Sequence, residues 1–148
     1  MIPLLVLVAG FAVFRLMGWL GVGFFGQWLT CLRAALACMF LLTASAHWGR
    51  RRTDLIRMVP AGFGPAGLLV TLTGILEIVG AIGLMIPAAA RLAALGLALL
   101  MVVIFPANVR AARHGIDIAG SKPMSLAMRA PLQIVFILAN LVAGGFIW

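Results

Sequence analysis

AGLLVTLTGILEIVGAIGLMIP, residues 66–87, is a helical apolar run with one carboxylate, Glu77, in its middle. The chain has only three acidic residues, and this one stands where a lipid-facing charge is least welcome. An acidic residue at the centre of a span costs about 3 kcal/mol on the insertion scale. The run's Leu, Ile, Val and Met residues, around a dozen, each return roughly 0.3–0.6 kcal/mol. The segment therefore inserts as a membrane helix, and Glu77 must face protein or water. Its neighbours agree. Thr73 and Ala81 lie four residues away, and Gly74 and Gly80 three away, so all four share its helical face. Small residues let a second backbone approach closely, as at helix interfaces in membranes.

The rest of the chain has the same character. Of its 148 residues 65% are hydrophobic and 9% charged, and the mean hydropathy is +1.22. So little polar surface excludes a soluble domain. The length suits four or five spans of about 20 residues, in one membrane domain covering 1–148. The net charge of +8 belongs to short basic loops that set topology, so no nucleic-acid partner is expected. Cys31 and Cys38 lie seven apart in an apolar segment. That is about 10 Å along a helix, too far for a mutual disulfide, and both read as small buried hydrophobes.

Five spans are expected, at about 2–20, 27–48, 66–87, 92–109 and 130–148. The first reads as a retained span rather than a signal peptide, since it lacks a basic n-region and a small-x-small cleavage site. Its less regular alternative is a re-entrant or interfacial segment over a four-span core. The 49–65 loop carries Arg50, Arg51, Arg52 and Arg57 against Asp54. The 110–129 loop carries Arg110, Arg113, Lys122 and Arg129 against Asp117. The opposite connections carry only Arg91. The positive-inside rule places the N-terminus and both long loops in the cytoplasm and the C-terminus outside. RRTDLIRMVP, 51–60, reads as a short interfacial helix. Thr53 or Asp54 would cap it, Leu55, Ile56, Met58 and Val59 would form its apolar side, and the arginines would meet anionic headgroups. A plain solvated loop is the alternative.

The polar residues inside the spans are the candidate site. Depth along each span pairs Glu77 with Arg33, or else with Arg15, and makes Asn140 a neutral hydrogen-bond partner. For both arginines the alternative is snorkelling to the outer interface. A second layer lies at the cytoplasmic end, where His47 closes the second span, Asn108 the fourth and Gln133 opens the last. Arg33 and His47 are fourteen residues apart and return to nearly the same face. Pro106 deprives the Val102 carbonyl of its donor, and Asn108 stands close enough to help. Arg33, His47, Glu77, Asn108, Gln133 and Asn140 thus form a polar seam, read either as a ligand site or as ordinary interhelical hydrogen bonding. No metal-ligand spacing, phosphate loop, nucleophile elbow or paired carboxylate occurs, so no metal or resident cofactor is expected.

RAALACMFLLTASAHW (33–48), RTDLIRMVP (52–60), LLVTLTGILEIVGAIGLMIP (68–87), FPANVRAAR (105–113) and RAPLQ (129–133) together resemble the DoxX-like family of bacterial membrane proteins. The resemblance covers about Arg33 to Gln133. It implies an all-α bundle in the bacterial inner membrane, with a four-helix DoxX-like core to which the first span is an addition. For function it implies an accessory subunit beside a quinone-linked redox system. The seam would contact a quinone-like or small polar ligand, and redox cofactors would come from a partner protein. It supplies no catalytic motif. The alternatives are a small-molecule permease or binding protein and a membrane scaffold. The lipid bilayer is the constant partner, and a homo-oligomer is possible.

Overall fold

The computed structural model of the chain describes residues 2–117 and 124–147. Lys122 of the expected basic loop lies outside them. The described residues are helical, with no strand. Five helices are long and apolar enough to cross a membrane: α1 (Ile2–Trp19), α2 (Trp28–Ser45), α4 (Ala66–Met85), α5 (Ala90–Arg113) and α6 (Leu126–Ala143). A short helix, α3 (Arg52–Met58), joins α2 to α4, and a single 3₁₀ turn, Gly23–Phe25, joins α1 to α2. The molecule is a polytopic helical membrane bundle.

α2, α4, α5 and α6 form a ring. Contacts run α2–α4, α4–α5, α5–α6 and, more thinly, α6–α2. α1 lies outside the ring against α2, with Gly10 over Ala35. Only its Leu7 is buried, while Leu5, Val8, Val13 and Leu16 are exposed to the lipid. It is a full helix along α2, not a re-entrant segment.

We call the end carrying α3 and the α5–α6 connection the loop end, and the other the turn end. The apolar core lies toward the turn end and includes Leu36, Met39, Phe40, Ala81, Leu84, Leu97 and Ala143. The small residues beside Glu77 make close approach possible on both sides. A Cβ at Gly74 would stand 2.8 Å from His47, and one at Gly80 would stand 2.5 Å from Leu97.

Two helices depart from the expected limits. α5 continues seven residues beyond Pro106, to Arg113. At 24 residues it spans about 36 Å, longer than a hydrocarbon core of about 30 Å. α6 starts four residues before the expected span and stops five before its end, with Pro131 inside its first turns. Its stop is chemically defined. Phe146 N–H donates to Leu141 and Gly145 N–H to Val142, with Gly145 at φ +70°. This is a Schellman cap, which needs the left-handed residue that glycine supplies.

α3 begins at Arg52 and carries no side-chain cap, so neither Thr53 nor Asp54 starts it. Its apolar side does not face lipid alone. Met58 and Leu55 pack on Ala107, Ala111 and Ile116 at the extended end of α5. Arg50, Arg51 and Arg57 are exposed as headgroup contacts require, but Arg52 turns inward. It donates to the His47 carbonyl at 2.8 Å, the Gly67 carbonyl at 3.1 Å and Thr71 Oγ1 at 3.0 Å. That one guanidinium ties the end of α2 to the start of α4. The cysteines also divide. Cys31 is buried and donates from Sγ to the Phe25 and Gln27 carbonyls, whereas Cys38, which no such turn covers, is exposed.

Candidate functional site

The ring is not filled at its loop end. A cavity of about 470 Å³ opens there between α2, α4, α5 and α6, with α3 and the start of α1 at its rim. Its lining is mainly apolar and includes Met39, Phe40, Leu69, Val70, Met101 and Phe136. His47, Glu77, Asn108 and Gln133 also line it; Arg33 and Asn140 do not.

Glu77 is only 3% exposed, and it is answered by a hydroxyl rather than a cation. Thr43 Oγ1 donates to its Oε2 at 2.8 Å and also reaches the Phe40 carbonyl at 3.0 Å. Among the described residues Glu77 has no ion pair. The expected Arg33 pairing fails because α2 and α4 are staggered. Gly74 packs on His47, and Gly67 lies beside Arg52, so α4 begins well below the end of α2. Glu77 therefore sits level with Thr43, ten residues and about 15 Å along α2 from Arg33. Equal fractions of two spans are not equal depths.

Arg33 goes elsewhere. Its Nε donates to the Ala143 carbonyl at 2.9 Å. The Schellman cap leaves that carbonyl unused at the negative end of α6, and a guanidinium there is doubly favourable. Arg15 stays at the turn end, donating to the Gly26 carbonyl at 3.1 Å and stacking 5.3 Å over Trp19. Asn140 is fully buried but does not meet Glu77. Its Nδ2 donates back to the Phe136 carbonyl, and its Oδ1 is without a partner.

The α5–α6 side holds a connected cluster. Arg129 Nη1 donates to Asn108 Oδ1 at 3.1 Å, and Asn108 Nδ2 donates to Gln133 Oε1 at 3.2 Å. Gln133 Nε2 in turn donates to the Met101 carbonyl. Gln133 thus reaches the Met101 carbonyl, one residue before the Val102 carbonyl that Pro106 leaves without a helical donor, and among the described residues Asn108 does not serve Val102. Asn108 is occupied in holding Gln133.

Two lining residues escaped the sequence reading. Thr43 stands one turn before His47 on the same face, and Arg129 one turn before Gln133. A search at i, i+4 around each polar residue would have found both.

The family model described as Domain of unknown function (DUF8561) matches residues 36–143. The chain belongs to the DUF8561 family. No curated protein and no solved structure matches it. The DUF8561 region contains α3 through α6 in full and the second half of α2, from Leu36, and it leaves α1 outside. Every polar residue of the cavity falls within it.

Proposed function

We propose that this DUF8561 protein is a ligand-binding subunit of the bacterial inner membrane. On this reading it works beside a quinone-linked redox partner, as its resemblance to the DoxX-like family implies, and holds a quinone-like head in the cavity. The observation that carries the reading is the cavity itself. About 470 Å³ of mainly apolar space has a buried carboxylate on one wall and an amide–guanidinium cluster on the other. Pockets of roughly 300–1,000 Å³ with few polar groups are the usual form of a small-molecule site. A scaffold would have closed this space with side chains.

The basic loops put the cavity on the cytoplasmic side by the positive-inside rule. At the turn end Leu36, Leu84 and Leu97 are buried and close-packed. This one-ended shape supports binding over conduction. The test is direct. The purified chain in nanodiscs should bind 1,4-naphthoquinone saturably, and membranes from a deletion strain should lose part of their quinone-dependent reduction rate. No saturable binding, with an unchanged rate across a panel of donors, would remove the reading. A transport role would instead show as uptake into liposomes that falls with Glu77→Gln.

A further inference from the structure

The two polar walls of the cavity are not chemically alike. On the α2–α4 wall the hydrogens of Thr43, Thr73 and His47 Nδ1 are already spent on acceptors. His47 Nδ1 lies 3.3 and 3.2 Å from the carbonyls of Thr43 and Ala44. Carbonyls only accept, so the ring proton is on Nδ1, and the neutral ring keeps Nε2 as a bare acceptor. Thr73 Oγ1 lies 3.0 Å from the carbonyls of Leu69 and Val70, which take its proton. Glu77 Oε1 has no partner among the described residues. With Glu77 ionised, Thr43 donates to Oε2 and Oε1 accepts. With Glu77 neutral and its proton on Oε2, that O–H donates to Thr43 Oγ1, whose own proton goes to the Phe40 carbonyl. Oε1 accepts in the ionised state and in this neutral arrangement.

The α5–α6 wall is the reverse. The oxygens of Asn108 and Gln133 each already accept one bond, from Arg129 and from Asn108 respectively. Among the described residues, the second hydrogens of both amides and the outer nitrogen of Arg129 have no partner.

We infer that the cavity selects a neutral apolar molecule whose head carries a hydroxyl toward Glu77, His47 and Thr73 and an acceptor oxygen toward Asn108, Gln133 and Arg129. This rests on the ligand-binding reading above and sharpens it. A fully oxidised quinone has only acceptors and satisfies one wall. Its hydroxylated, reduced counterpart satisfies both. A lipophilic ammonium is disfavoured, because Arg129 lines the cavity and Arg51 stands at its rim.

The full chain in nanodiscs is titrated with three probes of one shape: 4-methoxy-1-naphthol, 1,4-dimethoxynaphthalene and 1,4-naphthoquinone. The naphthol should bind about tenfold tighter than the dimethoxy compound, the worth of about one net hydrogen bond. Glu77→Met should reduce that preference to about twofold or less, with a cooperative thermal unfolding transition in the same nanodiscs showing the bundle intact. Thr73→Val should reduce the preference in part. Equal affinity for naphthol and its dimethyl ether overturns the donor-head inference but leaves ligand binding standing. So does a tenfold preference that survives both substitutions. Failure of all three probes to bind overturns the ligand-binding reading as well.

Discussion

The two halves of the bundle solve the same problem in opposite ways. Toward the turn end, Arg33 meets a helix terminus whose carbonyl had no other partner, and the same half holds the buried core of Leu36, Leu84 and Leu97. Toward the loop end, Glu77 meets one hydroxyl, and the space beside it is left open. One half spends its polar groups on the fold, with Asn140 Oδ1 the exception among the described residues. The other keeps some in reserve. In a membrane, where an unsatisfied polar group is costly, that reserve is what the proposed ligand would meet.

The contrast can be broken in a fixed order. Leu97→Ala removes a side chain that is 1% exposed and packed against Gly80. It should cost about 2–5 kcal/mol in reversible unfolding in detergent, the range for buried leucine truncations. A loss below about 1 kcal/mol would mean that the turn end is not the packed half. Arg52→Ala should come next, at about 1.5–3 kcal/mol, because it removes three hydrogen bonds from one charged donor at the α2–α4 junction. Arg52→Lys should recover only part, since an ammonium lacks the planar fork. In the open half, Glu77→Met should be within about 1 kcal/mol of wild type, because an apolar isostere replaces a buried acid held by one neutral partner. Marked destabilisation there would show that the carboxylate serves the fold. Smallest of all is the coupling between the halves. Arg33→Gln and Glu77→Gln should add within about 0.5 kcal/mol in a double-mutant cycle. A larger coupling would restore the ion pair that the stagger forbids.

Much of this architecture was legible in the residues. Five hydrophobic runs, the basic loops and the Gly74–Glu77–Gly80 face were enough to place five helices and to turn Glu77 inward. His47, Asn108 and Gln133 were also recognisable, because each is a polar residue where a span begins or ends. What could not be read was vertical offset. Nothing local to α2 or α4 says that Gly74 meets His47, and without that stagger Arg33 would be within reach of Glu77. Asn140 misled for a related reason: mid-span depth says nothing about azimuth around a helix, and it points into a different packing layer. Thr43 was missed because a threonine in an apolar run reads as filler. The family match supports the same division of the chain, since it covers the ring's cavity residues and leaves α1 aside.

The bond from Gln133 to the Met101 carbonyl has a mechanical side. A proline inside a membrane helix is ordinarily a joint, because the bond it lacks lets the two segments flex. Here Gln133 of the neighbouring helix grips the Met101 carbonyl just before that joint, and Asn108, just beyond it, holds the same glutamine. The two segments of α5 that meet at Pro106 are therefore pinned to one side chain of α6, as a splint holds both sides of a joint.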